Sequence, residues 1–186
     1  MNKIQGKTHY APWLAVITGT VLCLQLMAAD LKVVSKVDLS RYLGKWYEIA
    51  TIPQSFQKQC VGGTSATYTL RKDGDVDVLN ACTKKDGTIS SAHGRAWVAD
   101  KATNAKLKVS FIPFLKLNFL AGDYWVIDLG ANYEYAVVGH PNRSYGWILS
   151  RTPTLPKETL DGIFARLKAS GYDTSQFKMT DQSKSK

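Results

Sequence analysis

From Gly44 to Arg151 polar and apolar residues alternate in short runs, and each run is cut by a turn signal before it grows long. Period-two alternation puts successive side chains on opposite faces of an extended strand, so this region must be built from strands. TSATYTL, RKDGD and VDVLNAC read as two strands joined through Asp73-Gly74, because glycine tolerates the positive φ of a tight hairpin turn. Asp86-Gly87 precedes a further strand, SSAHGRAWV. Lys106-Leu107-Lys108-Val109-Ser110-Phe111, DYWVIDL, Tyr135 to Gly139 and Tyr145 to Ser150 follow, and the strand after Gly44 makes eight. Strands at this spacing predict an antiparallel meander, closed into a barrel or folded as a sandwich.

The period changes after TPTLP. In KETLDGIFARLKASG, Leu160, Ile163, Phe164 and Leu167 fall on one helical face, with Pro156 suited to the first turn and Gly171 to the stop. One helix after eight strands can bury that face only against the outside of the sheet. There is no internal repeat and no linker to a second domain, so residues 30–180 are expected to form one domain with a polar tail at 181–186.

Residues 1–29 are of a different material: Lys3 and Lys7 precede an uncharged stretch, Ala11 to Ala29, that ends in small residues before Asp30. That is the form of a secretory signal with its cleavage site at Ala28-Ala29, and the run is also nearly long enough for an uncleaved anchor. Leu22 stands where a lipoprotein signal has a small residue, so Cys23 reads as an apolar residue of the leader. Export leaves Cys60 and Cys82 as an even pair in a compartment that permits disulfides. Simple pairing through Asp73-Gly74 sets Cys82 opposite residue 65, so a Cys60–Cys82 bridge requires Gly62-Gly63 to bend the chain back. The net charge of +9 falls by Lys3 and Lys7 to +7, with lysines and arginines spread singly apart from Lys84-Lys85. Such a surface is a solvated basic one that lacks the clustered patch of a nucleic-acid binder, and it is compatible with an anionic membrane surface or ligand.

GKWYEIA, Gly44 to Ala50, sets a Trp two residues after a Gly at the start of the first strand. An eight-stranded barrel must seal at least one end against water, and Trp46 suits the floor, with Gly44 letting the chain turn in beneath it. Arg151 ends the eighth strand, beside the first in a closed barrel, where its cation can cover the indole.

With those residues, Gly44-Lys45-Trp46, then Gly122-Asp123-Tyr124, then WILS followed by Arg151, the chain resembles the lipocalins over about residues 38 to 178. Within that family GKWYEIA, ATYTL, VLN, LKVSF, GDYWVI and YGWILSRTP look most like the bacterial outer-membrane lipocalins and apolipoprotein D. The resemblance implies an all-β fold: an eight-stranded antiparallel up-and-down barrel with one C-terminal helix packed outside.

In such a barrel alternation selects the lining. Leu107, Val109 and Phe111 point in, since the other parity would bury Lys106 and Lys108; by the same logic so do Ala66 and Tyr68, Val76 and Val78, Asn80 and Cys82, and Trp147 and Leu149. Tyr124 and Val126 join them from the resemblance. Tyr68, Asn80 and Tyr124 are polar members that either orient a ligand head or bond one another. No charged side chain is assigned inside. Ile112-Pro113-Phe114-Leu115 is an apolar loop that reads as a rim, a dimer surface or a buried corner.

Catalytic and metal-binding patterns are absent: there is neither a GxSxG elbow nor an HExxH pair, and His93 and His140 read as lone surface residues. Asn142-Arg143-Ser144 is a glycosylation sequon. No cofactor is called for. The expected activity is binding, storage or transport of a fatty acid, lysophospholipid or similar amphiphile by an exported monomer or homodimer, periplasmic or secreted and associated with the outer membrane in the manner of the bacterial relatives. The alternative is a lipocalin-fold enzyme acting on a lipid, with Cys60 as the candidate thiol.

Overall fold

A computed structural model describes residues 30–112 and 118–185. Residues 31–43 cross one end of the molecule and finish in a short helix, α1 (Leu39–Tyr42), which Asp38 caps by accepting from the backbone N–H groups of Ser40 and Arg41. Eight strands follow: β1 (Gly44–Thr51), β2 (Cys60–Leu70), β3 (Val76–Lys84), β4 (Ile89–Val98), β5 (Lys106–Ser110), β6 (Gly122–Leu129), β7 (Tyr135–Gly139) and β8 (Gly146–Ser150). Each pairs antiparallel with its neighbours in sequence. Closure comes from β1, which pairs with β8 (Tyr47 opposite Ser150) and with β2 (Trp46 opposite Ala66), so the meander is a barrel and no sandwich.

Helix α2 (Lys157–Ala169) lies outside the barrel. Ile163 and Leu167 are buried, and with Leu160 and Phe164 they pack on Ile49, Val137 and Ile148 of the sheet's outer face. Pro156 precedes its first turn, and Gly171 at φ +84° turns the chain so that the Tyr172 N–H returns to the Leu167 carbonyl. A second cluster fills the closed end of the barrel: Val37, Tyr42, Trp46, Val126, Ala136 and Val138 meet there.

Two features depart from expectation. A ninth strand, β9 (Lys178–Met179), pairs with Ala50 and Thr51 of β1. Strand β1 is thus shared, its lower half with β2 and its upper half with β9, because β2 swings away from it at Gly62 and Gly63. Beyond β9 the residues read as a polar tail occupy that seam. The Gly63 N–H donates to the Asp181 carbonyl at 2.8 Å, Thr83 Oγ1 donates to the Lys184 carbonyl at 2.8 Å, and Gln182 Nε2 ties the Glu48 and Thr64 carbonyls at 2.7 and 2.8 Å. A side chain at Gly62 or Gly63 would collide with the Asp181 or Lys184 carbonyl, and both positions have positive φ.

The second departure is register. Ser65 faces Ala81, where simple extrapolation sets Cys82, and pairing slips twice more between Cys60 and Ser65. Those slips set Cys60 opposite Lys84, two residues from Cys82, and the two cysteines form a disulfide with their Cα atoms 5.6 Å apart.

Candidate functional site

Strand direction separates the two ends of the barrel. The hairpin turn at Asp73-Gly74 and the α1 segment lie at the closed end, where β1 begins. The β1–β2 loop, the Asp86-Gly87 turn and the β7–β8 turn lie at the open end.

At the closed end Trp46 is fully buried, and its indole N–H donates to the Tyr42 carbonyl at 2.8 Å. The Arg151 guanidinium carbon sits 3.7 Å from the Trp46 ring centroid, on the side facing water. Its nitrogens donate to the carbonyls of Lys45 (3.0 Å) and Arg41 (2.6 Å), which pins the plate between β1 and α1. Gly44 has φ +90°, and a Cβ there would lie 3.5 Å from an Arg151 nitrogen. Burial holds the Arg151 pKa below its ordinary value.

Above this floor lies a cavity of about 600 Å³ that opens at the other end. Ala66, Tyr68, Val78, Asn80, Leu107, Val109, Phe111, Tyr124, Trp147 and Leu149 line it, as do Val76 and Cys82. Val126 does not: it is fully buried in the floor cluster, one layer below the cup. Phe111 follows the end of β5 and stands at the rim, 43% exposed, with its ring over Gly94. Tyr68 and Tyr124 bond one another, with Tyr124 Oη 3.0 Å from Tyr68 Oη and 2.8 Å from Tyr42 Oη. Desolvation pushes all three phenols up, Tyr68 to about 12, so they stay protonated at any physiological pH.

The wall also contains what sequence reasoning passed over. Ser90, Ala92 and Ala96 of β4 and Leu39, Phe56, Gln57 and Gln59 from flanking segments reach the cup. So does Glu48, against the expectation of an interior free of charged types. Glu48 has the parity of Trp46 on β1, and that alternation was the signal that could have found it. It is 5% exposed; its Oε1 accepts from Thr180 Oγ1 at 2.7 Å and its Oε2 from Gln57 Nε2 at 3.0 Å. Burial raises its carboxyl above the ordinary range against those two hydrogen bonds.

The histidines divide. His93 is exposed on β4 as expected, whereas His140 stands half-buried at the cavity mouth, its Nδ1 2.7 Å from Asn142 Oδ1 and its Nε2 3.8 Å from Asp123. Asp123 is itself paired with Lys108 at 2.8 Å. The Asn142 side chain also accepts from Ser144, closing the turn. Cys60, bridged to Cys82, offers no thiolate for catalysis. Among the described residues no group of acidic, His and Cys side chains is placed to hold a metal ion, and no helix is long and apolar enough to cross a membrane. The apolar loop keeps Ile112 exposed; its Pro113, Phe114 and Leu115 lie outside the described residues, as does the leader.

A closed antiparallel barrel, plated at one end by a tryptophan under an arginine and open at the other onto an apolar cup, defines a ligand-cup barrel. The chain belongs to the lipocalin family, whose lipocalin-like domain matches residues 37–182. It is 43% identical over 157 residues to temperature-induced lipocalin-1 of Arabidopsis thaliana, covering 83% of this chain and 84% of that one. Identity is 41% over 147 residues with the outer membrane lipoprotein Blc of Escherichia coli K12, covering 78% and 79%. With mouse apolipoprotein D it is 36% over 154 residues, covering 78% and 77%. Among solved structures, insecticyanin from the tobacco hornworm Manduca sexta superposes with a TM-score of 0.66 at 24% identity over 83% of this chain and 85% of that one, a likeness of fold.

Proposed function

We propose that the protein carries one long-chain amphiphile, a fatty acid or lysophospholipid, with its chain in the barrel cup. The observation that carries this reading is the cup itself: about 600 Å³, within the ~300–1,000 Å³ of small-ligand pockets, walled by Val76, Val78, Leu107, Val109, Trp147 and Leu149. Burying an acyl chain there gains ~0.8 kcal/mol per methylene, so affinity needs no counter-charge at the far end. Phe56, Phe111, Ile112 and Leu120 remain exposed around the mouth, as suits exchange of ligand with a lipid surface. The leader-like residues 1–29 and the similarity to outer membrane lipoproteins favour an exported protein at the cell envelope. Binding rather than turnover is favoured by the bridging of Cys60.

The test is a titration of single-chain alcohols from eight to sixteen carbons, followed by Trp147 fluorescence. Binding at one per chain with an affinity that climbs with every added carbon is expected. An affinity indifferent to chain length would remove the cup as the acyl site.

A further inference from the structure

Glu48 is an anomaly in a cup built for acyl chains. It lies on the inner wall of β1, 5% exposed, and among the described residues no lysine or arginine pairs with it. Its hydrogen bonds come from two neutral donors, Thr180 Oγ1 and Gln57 Nε2. Gln57 is held above the cup in the β1–β2 loop, and its Oε1 is buried without a hydrogen-bond partner. Each carboxyl oxygen and the amide oxygen can accept more than it receives, so acceptors outnumber donors at one dry point of the wall. An acceptor left unpaired in such a place is costly, and the cost falls when something brings a hydrogen to it.

We propose that Glu48 and Gln57 form the head-group site of the cup and that it takes a long-chain amphiphile whose head is a hydrogen-bond donor, an ammonium ahead of a hydroxyl. This rests on the reading that the cup holds a single acyl or alkyl chain. An ammonium supplies three donors and the positive charge that Glu48 lacks; a hydroxyl supplies one donor. A carboxylate head would bring acceptors to acceptors and a like charge to the glutamate, so a fatty acid in this cup leaves its head at the mouth and is held by its chain alone. Glu48 is two residues beyond Trp46 along β1, so a head held there leaves Tyr68, Val78 and Leu107 below it for the chain. The basic surface argues the other way at long range: a net charge of +9 attracts anions, so a preference for the cation has to come from the site.

The experiment compares dodecylamine, dodecanol and dodecanoate below their aggregation limits by calorimetric titration at neutral pH, with the wild type, Glu48→Gln and Gln57→Met. In the wild type the amine is expected to bind on the order of tenfold more tightly than the alcohol, and the alcohol more tightly than the carboxylate. Glu48→Gln, whose folding is checked by circular dichroism, should bring the amine-to-alcohol ratio close to one; Gln57→Met should lower it by less. If dodecanoate binds most tightly, or if the ratio survives Glu48→Gln, the head-group assignment is overturned while one-to-one binding leaves the cup reading standing. If none of the three probes saturates, both fall.

Discussion

Arg151 reaches Trp46 from the solvent side of the barrel, and the 3.7 Å approach of its guanidinium leaves the cup untouched. A cation held over an indole stabilises by ~0.5–2 kcal/mol, so Arg151→Ala should lower unfolding stability by about that amount in urea melts, with ligand affinity within a factor of two of the parent. A collapse of affinity at constant stability would make Arg151 a ligand contact. Glu48 acts in the opposite direction. Its carboxyl titrates higher folded than unfolded, so between those two values the folded chain binds more protons. The destabilisation is fully present above the folded value and disappears as pH falls toward the ordinary 4.5. Glu48→Gln is therefore expected to melt a few degrees above the wild type at pH 7, with the gap closing on acidification; a flipped Gln57 amide then finds a donor for its orphaned oxygen. A gap that widens toward acid pH would refute the buried-carboxyl account. Arg151 is legible from its place at the end of the eighth strand beside the Trp46 floor, whereas Glu48 shares the parity of Trp46 and escapes a reading in which charge marks the outer face.

Strands β1 to β8 and helix α2 were legible because each is long enough to show a period, and the contrast within LKVSF alone orients β5. Strand β9 was not, since two residues have no period, and the segment after it is polar because it hydrogen-bonds to strand edges instead of burying apolar surface. Strand β4 hid its inner face for another reason: Ser90, Ala92 and Ala96 are too small to contrast with their neighbours. The C-terminal segment and the Gly62-Gly63 bed should behave as one unit. Gly62→Ala forces a Cβ onto the Asp181 carbonyl at φ +151°, a strain of ~1–3 kcal/mol. In a chain truncated after Phe177 the same substitution should cost clearly less, because the colliding atoms are gone. Equal costs in both backgrounds would show that the glycine serves β2 alone. The disulfide acts on the same strand pair. It closes a loop of 22 residues, and replacing both cysteines by serine should cost ~3 kcal/mol by the chain-entropy estimate, measured by urea unfolding. Thiol labelling of the unreduced, unfolded protein should find neither Cys60 nor Cys82 reactive.

At the scale of the whole molecule, two apolar volumes share one sheet. Outside, α2 and Phe177 complete a packed core on Ile49, Val137 and Ile148; inside, the floor cluster fills the lower barrel and then stops, leaving the cup. Neither alternation nor the family resemblance that assigns Val126 inward tells how high the packing reaches, and Val126 lies in the filled layer below the cup. The same gradient makes Val109 a sharp probe. It sits on β5 one residue before the strand's open-end terminus, half-buried, facing the cup and paired with Ala96 and Gly122. In Val109→Arg the long stem must cross the passage while the guanidinium can reach water at the mouth, so the barrel should keep its β-sheet signal and lose no more than ~1–2 kcal/mol of stability. The chain of an amphiphile, by contrast, would have to share a narrow apolar channel with a cation. Dodecanol binding should then weaken by at least about a hundredfold, the equivalent of three or so methylenes lost from water-free contact. Calorimetric titration of the folded variant checks this, and parent-like affinity in a barrel that still melts cooperatively would mean that the ligand lies elsewhere than between β5 and β1.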